Sequence, residues 1–383
     1  MDQADFREVI SGQKHSFGAS ALRVALGSAA VFYTAIVRLR NLLYSKGWLK
    51  AYRADAVVIS IGNITTGGTG KTPLVIWLCK FLQQKEIRCA VLTRGYKARR
   101  ASCVMRRARN GHNTQYDIRN TIDEPAILAE SCPQATVIVN PNRLAGATEA
   151  VNKFGATVLI MDDGFQHRRL ARDLDIVTID GTCPFGYEKV LPAGLLREPI
   201  AALKRADAVV VTRCDQTAEA ELTQLEEKLQ QRNQDLIIAR SIHTPVCAKS
   251  IGQKEISLEE LKNKKIFAFC GIANPDAFLK TIENIEANLV GSKIYNDHYH
   301  YTDDCLADIC EQARHLKVDL ILTTQKDWFS SPLAAIRNTS NGQRAAKYDI
   351  PFAYLAIELR FISGEDKITQ LIEDALAGKI PKK

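Results

Sequence analysis

The feature that most constrains this chain is Gly67-Gly68-Thr69-Gly70-Lys71-Thr72, set directly behind the apolar run Val57-Val58-Ile59-Ser60-Ile61. A strand feeding such a loop builds a phosphate cradle. The glycines let backbone N–H groups turn toward an anion, Lys71 reaches the β/γ-phosphates, and the Thr72 hydroxyl is placed to ligate Mg²⁺. Pro73 suits the first helical position. Leu74, Trp77, Leu78, Phe81 and Leu82 then follow at the spacing of a helix's apolar face. Strand, loop and helix together predict binding of a nucleoside triphosphate, assigned here to Thr65, Thr66, Gly67, Gly68, Thr69, Gly70, Lys71 and Thr72. One position departs from a strict G-x-x-x-x-G-K-[ST]: Thr65 stands where that pattern has Gly.

The 383 residues leave room for two domains, each with its own core. Hydrophobic content of 46% with 25% charged residues reads as soluble and globular. A net charge of +8 favours anionic partners such as phosphates or acidic headgroups. The ten cysteines form no C-x-x-C pair and no signal-peptide pattern follows Met1. Reduced thiols in a cytosolic protein are therefore expected, without a zinc site.

Val24 to Val37 carries no charge and is shorter than the about 20 residues that cross a bilayer. Arg23 precedes it, and Arg38, Arg40, Lys46, Lys50 and Arg53 follow, with Tyr33, Tyr44, Trp48 and Tyr52 close by. Basic flanks and interfacial aromatics predict a helix lying in the headgroup region, as an addition to the nucleotide fold; a buried core helix is the competing reading.

From residue 56 to about 240, candidate strands alternate with helical stretches. The strands are Ala56–Ile61, Cys89–Thr93, Thr136–Asn140, Thr157–Met161, Asp175–Ile179 and Ala208–Val211; Glu124–Glu130 and Arg143–Phe154 are among the helices. This alternation predicts an α/β fold, a P-loop NTPase core on a mostly parallel sheet, with ligands at the carboxyl ends of the strands. Leu236–Ala239 and Pro245–Ile251 read as two short linker strands. The expected division is 1–53 for the membrane-associated helical segment, 54–235 for the P-loop core, 236–263 for the β linker and 264–383 for a smaller α/β C-terminal domain.

Val158-Leu159-Ile160-Met161 runs into Asp162-Asp163, the position where a P-loop protein holds Mg²⁺ by a carboxylate. Asp123-Glu124-Pro125 opens a helix and reads equally as a cap or as a base for an attacking hydroxyl. Asp297-His298-Tyr299-His300 offers a histidine to tune a carboxylate across a cleft. The basic stretches at 96–100 and 106–109 suit phosphate or lipid; they lack the interleaved aromatics of a nucleic-acid surface beyond Tyr96. Thr212-Arg213-Cys214-Asp215 faintly resembles the base-reading motif of GTPases, but no Asp-x-x-Gly accompanies it.

The ordered set Gly67–Pro73, Thr93-Arg94-Gly95-Tyr96, Asp123-Glu124-Pro125, Asp162-Asp163-Gly164-Phe165-Gln166-His167, Pro192-Ala193-Gly194-Leu195-Leu196-Arg197-Glu198-Pro199, Gly271-Ile272-Ala273 and Asp297-His298 resembles the tetraacyldisaccharide 4'-kinase family over nearly the whole chain. The resemblance implies ATP-dependent phosphorylation of the 4'-hydroxyl of a tetraacyldisaccharide 1-phosphate, giving lipid IVA at the cytosolic face of the bacterial inner membrane. ATP and Mg²⁺ are the implied cofactors; the acylated disaccharide phospholipid and the membrane surface are the implied partners, with no nucleic acid and no obligate protein partner. On that resemblance Lys71 and Thr72 hold phosphates and Mg²⁺, and Asp162 and Asp163 serve the metal with help from Glu198. Asp123 is the base, with His298 as its partner and His300 as a rival. Arg197 neutralises phosphate charge, and Tyr96 lines the cleft. Ile122, Tyr299 and Gln325 depart from the family's usual residues. The alternative is a membrane-associated P-loop ATPase switch, whose loop carries a signature Lys where this chain has Thr66.

Overall fold

The structure, a computed structural model, describes residues 3–95, 103–105, 123–251, 254–272, 274–297, 299–336 and 348–380. Two helices, α1 (Gln3–Ser11) and α2 (Phe17–Ser45), precede the first strand, β1 (Val57–Gly62). Then come α3 (Lys71–Gln84), β2 (Cys89–Thr93), β3 (Cys103–Met105), α4 (Asp123–Ser131), β4 (Thr136–Val139), α5 (Arg143–Phe154), β5 (Val158–Asp162), β6 (Leu174–Asp180), β7 (Ala208–Thr212) and α6 (Glu219–Gln230). The second half holds β8 (Ile237–Ser250), β9 (Glu255–Ser257), α7 (Leu258–Lys262), β10 (Lys265–Cys270), α8 (Pro275–Asn284), β11 (Asn288–Ile294), α9 (Asp303–His315), β12 (Leu320–Thr324), α10 (Gln325–Ser330), α11 (Leu333–Ile336), β13 (Phe352–Ser363) and α12 (Glu365–Leu376).

The strands join in one sheet, in the order β11-β10-β12-β13-β8-β7-β6-β1-β5-β2-β4-β3, with β9 on β8. The expected α/β class is therefore present. β1 lies between parallel β5 and β6. Its unbroken apolar run follows from burial on both faces. Against it α3 seats Leu74, Leu78 and Leu82, all fully buried, each contributing about 1.5–3 kcal/mol by leaving water.

The two expected linker strands are one. β8 runs 14 residues without a break. Its first residues, Ile237 to Arg240, pair parallel with β7, while Arg240 to Ser250 pair antiparallel with β13. Pro245 misled the sequence reading, because proline removes a ladder donor. Here it sits opposite Ile357, where the register shifts, so the ribbon absorbs it. This β8–β13 ribbon carries the sheet from one lobe into the other.

The expected boundary 264–383 also changes. α12 packs on the first lobe: its Ile368, Ile372 and Ala375 join Leu74, Leu78 and Ile59 in that lobe's core. Trp77 of α3 stands edge-on to Phe361, 4.9 Å between centroids, and its indole N–H donates to Glu365 at 3.1 Å. The second lobe is built instead around β10, β12 and the front half of β13, with Phe267, Phe269, Trp328 and Phe352 on one face and Phe278, Ile282 and Leu322 on the other.

α2 is 29 residues long, about 44 Å at 1.5 Å per residue. It outruns the uncharged segment at both ends and is long and apolar enough to cross a membrane. Its N-cap Ser16 accepts from the Ala19 N–H. Val24, Val31, Phe32, Ile36, Leu39 and Leu42 point outward, while Ala30 and Val37 are buried against the body.

Candidate active site

The loop after β1 is held from below by polar groups. Asn63 Nδ2 donates to Thr69 Oγ1 at 3.0 Å, Thr69 Oγ1 meets Thr178 Oγ1 at 2.7 Å, and Thr212 Oγ1 donates to the Thr69 carbonyl at 3.1 Å. Arg213, ion-paired with Asp180, donates to the Gly68 carbonyl at 2.8 Å. Gly67 and Gly70 adopt φ of +112° and +81°, a backbone that side chains resist. A Cβ on Gly70 would also lie 2.8 Å from His243 Nε2. Gly70 caps α3 without a side-chain acceptor, so the first N–H groups of α3 are left for an anion. Gly67 and Gly68 are exposed, and Thr72 lines the cleft. Thr65 and Thr69 are 5% and 3% exposed; Thr69 is held by Asn63, Thr178 and Thr212, and Thr65 bridges to Leu196, so both brace the loop from within.

The acid pair stands at the end of β5. Asp163 takes the left-handed region, φ +51°, and accepts from Arg197 Nη1 at 2.9 and 2.8 Å with Lys71 Nζ 3.5 Å away. Burial works against its charge, but Lys71 and Arg197 overcome that and hold its carboxyl below the usual range. Asp162 is the opposite case. It is buried, accepts from Thr93 Oγ1 at 3.2 Å, and is pushed up to about 7 by burial first and then by the charges of Glu124 and Asp163. Lys71 and Arg143 fall short of offsetting this. Among the described residues no three carboxylates, histidines or cysteines cluster as a metal-holding group; Asp162, at the end of β5 beside the phosphate loop, is the acid whose buried charge a bound cation would relieve.

The cleft runs between the lobes. Thr72, Pro73, Ile76, Glu124, Arg213 and His243 line it from one side; Ile272, Asn274, Phe278, Thr324 and Lys326 line it from the other. Thr72 brings the end of the phosphate loop to it, and Glu124, whose charge acts on Asp162, reaches it from α4. His243 on β8 is lowered to about 3 by burial and then by Arg213, so it stays neutral, and among the described residues its Nε2 has no hydrogen-bond partner.

Of the residues read from sequence, the structure brings together the loop, Lys71, Thr72, Asp162, Asp163 and Arg197. Asp123 is the first residue of α4, one position before cleft-lining Glu124; its side chain, His298, Tyr96 and the basic stretches at 96–100 and 106–109 lie outside the described residues. Asp297 accepts from Lys326 Nζ at 2.9 Å, and His300 is exposed. Glu198 departs from the metal-ligand expectation. It is wholly buried, and its oxygens accept from Arg205 at 3.2 and 3.1 Å and from Asn41 at 2.7 Å. A carboxylate so engaged is an internal anchor, not an open ligand. Sequence reading missed Glu124, Arg143 and His243 as site residues. The acidic pair Asp123-Glu124 pointed to the first; nothing marked buried Arg143 inside α5, whose guanidinium donates to the Asp162 carbonyl at 2.8 Å.

A parallel sheet, a glycine loop on a helix N-terminus, an acid pair and two cations at an interlobe cleft define the P-loop phosphoryl-transfer class. Comparison narrows it. The family model for tetraacyldisaccharide-1-P 4'-kinase matches residues 22–377, and the chain belongs to that family. A tetraacyldisaccharide 4'-kinase of Anaeromyxobacter sp. (strain Fw109-5) is 36% identical over 372 residues, 96% of this chain and 95% of that one. One from Halothermothrix orenii is 38% identical over 305 residues, 77% of this chain and 79% of that one. The crystal structure of LpxK from Aquifex aeolicus in complex with ATP is similar at 28% identity with TM-score 0.69, covering 93% of this chain and 99% of that one.

Proposed function

We propose that this chain transfers the γ-phosphoryl group of ATP to the 4'-hydroxyl of a tetraacyldisaccharide 1-phosphate, forming lipid IVA, and that it does so on the cytosolic surface of the inner membrane. The observation that carries the reading is the pairing of Lys71 and Arg197 on Asp163 beside the open N-terminus of α3. Two cations share one carboxylate at the place where transferred phosphate charge would arrive. They are set to neutralise that charge without reorganisation, which is the main catalytic term in phosphoryl transfer. Thr72 with Asp162 or Asp163 would hold Mg²⁺, which would supply positive charge to the phosphates when bound. Asp123, on the first turn of α4, takes the proton of the 4'-hydroxyl as its oxygen bonds to the γ-phosphorus, and the bond to the β-phosphate oxygen breaks to release ADP. His298 is the proposed partner of that carboxylate. The outward apolar face of α2 and the basic residues around it support docking at an anionic bilayer, where the acylated substrate resides.

The test is transfer of radiolabelled γ-phosphate to purified tetraacyldisaccharide 1-phosphate in detergent micelles. Labelled lipid is expected from the native chain and none from Lys71→Ala. Label released only as inorganic phosphate would replace the kinase by an ATPase.

A further inference from the structure

Glu198 and Arg197 adjoin in sequence and face different ways. The Arg197 side chain grips Asp163, while its backbone N–H donates to the Ile64 carbonyl at 2.7 Å and its carbonyl accepts from Tyr33 Oη of α2 at 3.1 Å. Upstream, Thr66 N–H donates to the Leu195 carbonyl at 2.7 Å and Thr65 bridges to Leu196. Residues 195–198 are therefore a strap with the phosphate loop on one side and α2 on the other. Glu198 closes the strap: its buried charge is met by Asn41 and Arg40 of α2, the latter 3.6 Å away, and by Arg205. A second strap runs in parallel. Gln166, just past the acid pair, donates to the Asn63 carbonyl at 2.8 Å, and Arg168 donates to the Asn41 carbonyl at 2.8 Å with its guanidinium over the Tyr44 ring.

We propose that α2 is a working part of the phosphate site, and that Asn41, Arg40 and Tyr33 are positioning residues which, through the 195–198 strap, hold Arg197 on Asp163. A buried carboxylate tolerates loss of a partner poorly, so any tilt of α2 must move Glu198, and with it the adjoining Arg197. The seating of the apolar helix is thereby linked to the charge balance at Lys71. This rests on the reading of Arg197 as the phosphate's charge partner.

The experiment is a double-mutant cycle on the full chain in micelles, with turnover and calorimetric ATP affinity measured for Asn41→Ala, Arg197→Ala and both together. Asn41→Ala is expected to lower kcat about tenfold with ATP affinity within about twofold, and the double variant to turn over no more slowly than Arg197→Ala alone. Losses that multiply across the double variant overturn the proposal. If Asn41→Ala does not fold, Tyr33→Phe takes its place, with a loss of about threefold that also vanishes on the Arg197→Ala background; a loss that persists there overturns the proposal. Glu198→Gln separates anchor from ligand: the Mg²⁺ midpoint for ATP binding is expected to hold, and a tenfold rise would return Glu198 to the metal and overturn the strap. Full turnover by Arg197→Ala alone would instead sink the underlying reading of the site.

Discussion

The two lobes face each other across the cleft with opposite electrostatics. In the second lobe the buried Asp327 carboxyl has its hydrogen bonds made internally, although burial still raises its pKa. Asp327 accepts from the Gly271 N–H at 3.0 Å, Tyr301 Oη at 3.1 Å and Thr324 Oγ1 at 2.6 Å, and Asp297 is paired with Lys326. At the end of β5 the charge is not settled in this way: burial, and then the charges of Glu124 and Asp163, raise the Asp162 pKa, and Asp163 draws two cations. Unsettled charge marks the face that expects a ligand, and settled charge marks the face that shapes and closes over it. If that division holds, substitutions in the first lobe act on rate and those in the second act on stability and fit.

The largest break is expected at Lys71. Lys71→Ala leaves Asp163 to Arg197 alone and removes the cation nearest the transferred group, which should lower kcat by about 10³. Steady-state assay in micelles checks it. A loss below tenfold would place the phosphate charge elsewhere. Asp123→Ala follows, with kcat reduced by about 10² and ATP affinity unchanged, because a general base acts on the acceptor and not on the nucleotide. A normal kcat would remove Asp123 from the chemistry and leave Glu124, which reaches the same cleft, as the base.

Asp327→Ala tests the other side. It strands the Gly271 N–H and the Tyr301 hydroxyl in a dry interior, at a cost of about 2–3 kcal/mol. Thermal unfolding should shift down while kcat stays within about threefold. A large fall in kcat with unchanged stability would show that the second lobe holds catalytic charge after all.

How far the sequence carries the fold follows from the same contrast. β1, the loop and α3 are legible almost to the residue, since glycine, lysine and an i, i+3, i+4 apolar stripe each have a local cause. α12 is legible as an amphipathic helix, but its pattern does not say which core it covers; Ile368 and Ile372 fit either lobe, and only the return path of β13 sends them to α3. β8 fails at Pro245 because the compensating register shift lies on a strand more than a hundred residues away. Asp162 and Asp163 announce themselves at a strand end, whereas Glu198 is marked only by the family resemblance and is sealed by Asn41 and Arg205. Local chemistry is readable from one segment; a buried polar anchor needs its partner, and the partner of Glu198 sits in a helix that composition assigns to another role. Of the two segments most specific to the family, 192–199 is tied to both α2 and the phosphate loop, and 162–167 to the start of that loop through Gln166 and Asn63.

The smallest effect is also the most direct measure of the unsettled charge. Asp162 has an ordinary carboxyl pKa in the unfolded chain and about 7 in the folded one. The folded state therefore holds the proton more tightly. Its stability is undiminished by this group below about pH 4, falls as pH rises between about 4 and 7, and carries the whole penalty above 7. Asp162→Asn removes the penalty. The nucleotide-free variant should be more stable than the native chain at pH 8 by on the order of 2 kcal/mol, and by progressively less as pH falls toward 5, although its turnover is impaired. Mg²⁺ with nucleotide should erase the difference at pH 8 by stabilising only the native carboxylate. Parallel melting curves across pH 5–8, with no divergence between the two proteins, would mean that Asp162 is already settled and that the contrast between the lobes rests on Asp163 alone.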